Sequence, residues 1–163
     1  MDELKKGLSI AMKGKAAERP VREFLMQLGK WGIPVPPFPA LVLDFGLGEF
    51  RRTGLVESWI CNEGKAGYCG KYLFVTDGQS CPIHRHRIKH ETFFVLKGKV
   101  VMQLGRTRRV LKEGAVLPVK PGISHGFAGR GPCLLIEISK PCVIADNYFR
   151  DRRIQIGGNR RKG

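Results

Sequence analysis

From Leu41 onward the sequence breaks into short apolar or alternating runs, most of them closed by a glycine-containing turn: LVESWICN, KYLFVTDG, HETFFVLKG, KVVMQLG, RRVLKEG, AVLPVKPG, HGFAG and CLLIEIS. Runs of this length with no helical period between them predict antiparallel strands, not helix–strand alternation. Eight or so such strands close into a barrel or sandwich, because each sheet has an apolar face to bury. All-β structure is expected from about Leu55 to Ile144. In ETFFVLKG both alternating faces are apolar, with Phe93 and Val95 on one and Phe94 and Leu96 on the other. That strand therefore needs cover on its outer side as well, from a further strand layer, the N-terminal helix or a second subunit. A homodimer is the expected assembly.

Upstream, PVREFLMQLGKW places Val21, Phe24, Leu25 and Leu28 at helical spacing, with Pro20 suited to a first turn and Gly32 to the end. Residues 1–19 form a weaker helical candidate. IPVPPFP is an extended linker, since successive prolines cannot continue a helix. The expected organisation is a helical, proline-rich extension over 1–40, a barrel domain over 41–150 and a basic tail over 151–163, read as a solvated end.

With 163 residues, the chain suffices for one core. No apolar run approaches the roughly 20 residues of a membrane helix, and the opening MDELKKGLSIAMKGK lacks the apolar centre of a signal peptide; a cytoplasmic protein with no membrane partner is expected. Five cysteines without a CxxC pair indicate neither a disulfide framework nor a zinc ribbon. Lys and Arg outnumber Asp and Glu by 29 to 14, a formal charge of +15, which favours acidic partners such as sugar phosphates. Nucleic acid has no support beyond that charge, since neither a known binding fold nor interleaved aromatic and basic residues occur.

The chain has four histidines, and two form His84-Arg85-His86 in an expected strand, where a period of two puts both imidazoles on one face. Glu91 opens the next strand and His125 follows the turn KPGIS. Three imidazoles and one carboxylate make a four-ligand set with room for substrate or water, suited to Mn, Fe, Co, Ni or Zn. His90 faces away from Glu91.

The segment Gly78 to Gly98 reads Gly-x5-His-x-His-x4-Glu-x6-Gly and resembles the first motif of the cupin superfamily at every specified position. GAVLPVKPGISH resembles the second, with Lys120 in place of the usual proline and Gly129 in place of the terminal asparagine. The resemblance implies a small antiparallel jelly-roll barrel holding a divalent metal through His84, His86, Glu91 and His125. GYCGKYLFVTDGQSCPIHRH, LDFGLGEFRRTGL and IEISKPCVIADN further resemble D-lyxose ketol-isomerases, cupins that interconvert aldoses and ketoses with Mn. Carried over, Lys71, Glu137 and Asp146 match polar positions of that family's substrate pocket. Isomerisation needs a base, a proton donor near O1 and O2 and a cation, through either an enediolate or a hydride shift. Glu137 is the candidate base, Lys71 would stabilise or protonate oxygen, and Asp146 would relay protons or anchor a hydroxyl, unless it only caps a turn. The substrate implied is a D-lyxose- or D-mannose-like sugar or its phosphate. EISKPCVIADNYFRDRRI also resembles cupin modules accompanying sugar-acid synthases of surface-polysaccharide pathways, which implies a non-catalytic sugar-binding or oligomerising alternative; an iron-dependent cupin dioxygenase is a third reading.

Overall fold

The computed structural model describes residues 3–159. Helices α1 (Glu3–Ile10) and α2 (Lys15–Trp31) precede the strands β1 (Leu41–Leu43), β2 (Leu55–Glu63), β3 (Tyr68–Val75), β4 (Ser80–Arg85), β5 (Glu91–Lys97) and β6 (Lys99–Leu104). There follow β7 (Thr107–Lys112), β8 (Val116–Val119), β9 (His125–Gly129), β10 (Cys133–Ser139) and β11 (Tyr148–Phe149). They form two antiparallel sheets, β1-β2-β3-β10-β5-β8 and β11-β4-β9-β6-β7. This is the antiparallel all-β architecture that the alternating runs predict, in the jelly-roll form that the cupin resemblance implies. β1 and β11 lie outside the expected strand region; at three and two residues they are too short to carry a periodic signal.

Alternation sorts each strand between the barrel interior and the outer surface. The interior holds Leu73, Val75, Phe93, Val95, Met102, Phe127 and Leu135 in one buried cluster. A second cluster covers the outer face of the six-stranded sheet, where Phe24 and Leu28 of α2 pack on Val42, Val56, Phe74 and Leu134, with Leu96 at its margin. One of the three covers expected for β5 is thus the N-terminal helix. Arg51 reinforces this docking through two hydrogen bonds to the Glu23 carboxylate, at 2.6 and 2.8 Å.

α2 begins at Lys15, so Pro20 lies inside it and not in its first turn. An interior proline removes one helical hydrogen bond, and the burial of Phe24 and Leu28, both 0% exposed, offsets that loss at about 1.5–3 kcal/mol per side chain. Gly32 ends the helix in the left-handed region at φ 65°, and Ile33 N–H closes on Leu28 O at 3.0 Å, a Schellman end. The glycine that closes the histidine motif is equally constrained: Gly98 has φ 79°, and a Cβ there would stand 2.2 Å from Pro132 O.

The segment from 151 is more than a solvated end. Ile154 is fully buried and Ile156 packs against the barrel core, although Arg152 and Arg153 are exposed. The remaining basic residues of the expected tail, Arg160, Arg161 and Lys162, lie outside the described residues. All five cysteines are free thiols. No helix among the described residues is long and apolar enough to cross a membrane.

Because Leu28 is fully buried and its neighbour Leu25 is 41% exposed, the two should respond differently to truncation. Leu28→Ala is expected to destabilise the fold by about 2–5 kcal/mol in urea unfolding, and Leu25→Ala by no more than about 0.5 kcal/mol.

Candidate metal centre and active site

β4 pairs with β9 so that His84 lies directly opposite His125. β4 then runs out into an irregular turn carrying His86 to Lys89, and Glu91 opens β5 with its side chain in the interior phase of Phe93 and Val95. One ligand atom from each of His84, His86, Glu91 and His125 falls within 4.8 Å of the other three. Each imidazole is fixed by its Nδ1–H, which donates to a main-chain carbonyl: His84 to Pro82 at 2.8 Å, His86 to Asp146 at 2.9 Å and His125 to Ile123 at 3.0 Å. In the neutral rings this leaves the Nε2 lone pairs aimed at one another.

The Nε2 atoms of His86 and His125 and Glu91 Oε1 are buried without a directed hydrogen bond, and Glu91 Oε2 has only the Lys89 ammonium beside it, at 2.7 Å. Leaving such atoms unsatisfied costs about 1–3 kcal/mol each, so the donor set fits a coordinated cation. Glu91 Oε1 lies 2.6 Å from His125 Nε2 and 3.4 Å from His86 Nε2. Burial would raise the pKa of Glu91, but the Lys89 ammonium and the two imidazoles outweigh it and hold the carboxyl well below its usual range. Burial and then the neighbouring His125 and His86 hold His84 well below the usual imidazole value. An ionised carboxylate and a neutral imidazole are the forms that bind a metal. Three nitrogens and one oxygen suit a first-row divalent ion.

Two ammonium groups border this cluster. Lys71, 3% exposed on β3, lies 3.3 Å from Glu57 Oε1, donates to Cys142 Sγ at 3.2 Å and sits 5.1 Å from the Trp59 ring centre. Burial works against its charge; Cys142, Glu137 and Glu57 work for it, and its pKa is well above the usual lysine value. Lys89 Nζ donates to Glu137 Oε1 at 2.8 Å and lies 2.7 Å from Glu91 Oε2. Burial again opposes its charge, and Glu137 and Glu91 more than compensate, raising its pKa. Glu137 in turn is lowered, because Lys71 and Lys89 outweigh its burial. It is paired with Lys71 in register between β10 and β3 and also accepts from Ser139 Oγ at 2.9 Å. Glu57, Lys71, Lys89, Glu137 and His84 face one cavity of about 80 Å³, whose remaining wall is mainly apolar, from Ile10 of α1 to Phe149.

Six of the seven residues singled out from sequence thus meet inside the barrel: the four prospective ligands, Lys71 and Glu137. Asp146 does not join them. It lies outside the cavity lining, and its carboxylate accepts the main-chain N–H groups of Arg87 at 2.9 Å, Ile88 at 3.1 Å and Lys89 at 2.9 Å. Both of its carboxylate oxygens are engaged by these donors, the placement that the capping alternative describes. His90 is outside the cluster. Lys89 and Glu57 were not anticipated. Counting on by two from Leu55 along β2 reaches Glu57, so alternation marks it, whereas Lys89 lies in the turn before β5, where no strand period applies.

A jelly-roll barrel with this histidine and glutamate cluster at its centre defines a cupin, and the Cupin domain family model matches residues 72–139. The chain is 42% identical over 142 residues to the D-lyxose/D-mannose isomerase of Thermosediminibacter oceani, covering 70% of this chain and 77% of that one. It belongs to the D-lyxose/D-mannose isomerase family of sugar-isomerase cupins. Among solved structures, the L-ribose isomerase of Cellulomonas parahominis superposes with a TM-score of 0.71 at 16% identity, over 86% of this chain and 93% of that one. KdgF from Halomonas sp. superposes with a TM-score of 0.51 at 17% identity, over 55% and 82%. These two likenesses concern the fold.

Lys89 separates two buried carboxylates and compensates both. Lys89→Met is expected to destabilise the metal-free protein by about 3–5 kcal/mol in urea unfolding at neutral pH, since it leaves Glu91 and Glu137 buried without their shared cation.

Proposed function

We propose that this protein is a divalent-metal-dependent aldose–ketose isomerase acting on an unphosphorylated sugar of the D-lyxose or D-mannose type. The observation that carries the reading is the convergence of an ionised buried carboxylate, Glu137, and two buried ammonium groups, Lys71 and Lys89, on a cavity bordered by His84. His84, His86, Glu91 and His125 would hold the metal, with Mn the first choice and Fe, Co, Ni or Zn compatible with the same donors. Bound there, the cation would supply Lewis acidity toward a carbonyl or hydroxyl oxygen.

The protein's own residues account for the proton transfers. Glu137 is the base: its carboxylate takes the proton from C2, exchanges it with solvent and delivers a proton to C1, while the hydroxyl proton of O2 passes to O1, so that the aldose becomes a ketose. Lys71, held charged by Glu57, donates hydrogen bonds to the oxygen that becomes negative, and Lys89 keeps Glu137 ionised and oriented. The apolar wall limits water access during the transfer. Both cavity lysines are already paired with carboxylates, and among the described residues no arginine lines the cavity, so these residues offer no unpaired cation to balance the charge of a phosphate group. This supports a free sugar over its phosphate, despite the basic surface.

The test is conversion of D-lyxose and D-mannose by Mn-loaded protein in deuterated water, followed by NMR. Ketose carrying solvent deuterium is expected; Glu137→Gln should retain metal and lose about 10²- to 10⁴-fold in kcat. His84→Ala/His125→Ala should lose the metal, measured by elemental analysis. Sugar binding without turnover in the loaded protein would overturn the reading in favour of a binding module.

A second copy of this chain is the partner we assign to the outer face of the six-stranded sheet beyond α2. Ile138 and Val116 are 58% and 62% exposed there, flanked by Tyr72, Ile136 and Phe94 in one cross-strand row. These positions carry no charge, so two copies of a +15 chain can meet there without opposing like charges. Light scattering should give a dimer mass, and Ile138→Lys a monomer; a monomeric wild type would overturn the assignment.

A further inference from the structure

We propose that Asp146 is the positioning residue of the metal centre: a single side chain that sets the turn between β4 and β5 and thereby places both His86 and Lys89. The inference rests on the reading of His84, His86, Glu91 and His125 as a metal site and goes beyond it, since Asp146 touches neither the metal position nor the cavity.

The turn has no strand partner of its own. Residues 86–90 leave β4 and enter β5 without regular pairing, yet they carry one ligand, His86, and the lysine that bridges Glu91 and Glu137. Main-chain N–H groups without a strand partner must find other acceptors or water. Three consecutive ones, of the exposed Arg87 and Ile88 and the buried Lys89, all find the Asp146 carboxylate, at 2.9, 3.1 and 2.9 Å. The same residue reaches the centre a second way, because its main-chain carbonyl accepts His86 Nδ1–H at 2.9 Å. Asp146 is 5% exposed and about 60 residues away in sequence. Two further main-chain hydrogen bonds hold carbonyls of the turn, from Gly122 N–H to His86 O at 2.7 Å and from Lys140 N–H to His90 O at 3.0 Å, and the Arg87 guanidinium stands 4.4 Å from the Tyr148 ring centre.

Asp146 is itself held from the N-terminus. It ends the short 3-10 turn Ile144–Asp146, whose first N–H, that of Ile144, donates to Glu3 Oε2 of α1 at 2.8 Å. Gly7 of the same helix is buried so close that a Cβ would stand 2.6 Å from Leu41 Cδ2 and 3.7 Å from Ile144 Cδ1. A line of contacts therefore runs from α1 through Ile144 and Asp146 to the ligand turn. Partners of metal-ligating histidines fix ring orientation, and their loss costs about 10- to 100-fold in metal affinity.

The experiment uses the full chain, with Co²⁺ as the probe, titrated into metal-free protein and followed by its visible absorption, beside amide hydrogen exchange and thermal unfolding of the metal-free form. Asp146→Asn preserves size but turns an N–H₂ group toward N–H donors. It is expected to raise the Co²⁺ Kd about 10- to 100-fold, change the absorption envelope of the loaded protein and accelerate exchange at Arg87, Ile88 and Lys89. Glu3→Gln, remote from the ligands, should act in the same direction by at least about twofold, and it carries the test if Asp146→Asn does not fold. A lowered melting temperature with wild-type Co²⁺ affinity and spectrum would overturn the proposal and leave Asp146 a purely structural cap. Failure of the wild-type protein to bind Co²⁺ would overturn the metal-site reading and this inference with it, whereas Co²⁺ binding without sugar turnover would overturn only the isomerase assignment.

Discussion

The burial of charge inside the barrel is the constraint around which the rest of the molecule is arranged. Glu91, Glu137 and Asp146 are buried, Glu57 is 15% exposed in its side chain, and the buried cations among the described residues are Lys71 and Lys89. Isolated ions in such surroundings are prohibitively costly unless paired or coordinated. Each ammonium is accordingly shared between acids, and Asp146 is neutralised locally by three main-chain dipoles. With Asp146 set aside, three carboxylates face two ammonium groups, an excess of one negative charge that a cation held by the histidines and Glu91 would offset. The charge balance of the interior and the geometry of the histidines are thus compatible with the same occupant.

Most of the ligand set was legible in the sequence because it is written in strand periods; His86, expected in one strand with His84, lies instead just past the end of β4, which closes at Arg85. His84 lies in β4 and Glu91 in the interior phase of β5, and pairing of β4 with β9 brings His125 opposite His84. Lys71 and Glu137 were legible for the same reason, each alternating with buried apolar residues on its strand. Lys89 was harder to see because it lies in a turn where no period holds, and its direction is set by a carboxylate 57 residues later. The role of Asp146 was hidden in the converse way: its polar character and family position suggested chemistry, while the three N–H groups that claim it belong to a distant segment. Pro20 marks another limit. Local propensity places a proline at the start of a helix, but tertiary burial of Phe24 and Leu28 sustains a helix that starts five residues earlier.

The same separation between local pattern and tertiary demand explains the outer face of the large sheet. Its apolar residues read as one continuous surplus in sequence, since alternation alone does not say how far a neighbouring helix reaches. α2 spans 17 residues, which at about 1.5 Å per residue is about 25 Å; it covers the side of Val42, Val56, Phe74 and Leu134 and leaves the side of Ile138 and Val116 open. The covered part stabilises the fold, and the open part is the face proposed for a second copy.

Net charge teaches a related lesson about where a property resides. A formal +15 suggests phosphorylated substrates when it is treated as a property of the whole chain. Inside the barrel the balance is reversed, because acids are concentrated in the cavity and around the ligand turn while nearly all cations lie outside. Surface cations act through solvent, where salt screens them within about 8–10 Å; Lys71 and Lys89 act in a poorly screened interior, where direct partners decide their state. Those partners include carboxylates for both lysines, which is why the proposed substrate is a free sugar and why the net charge of the chain is a poor guide to what the cavity would accept.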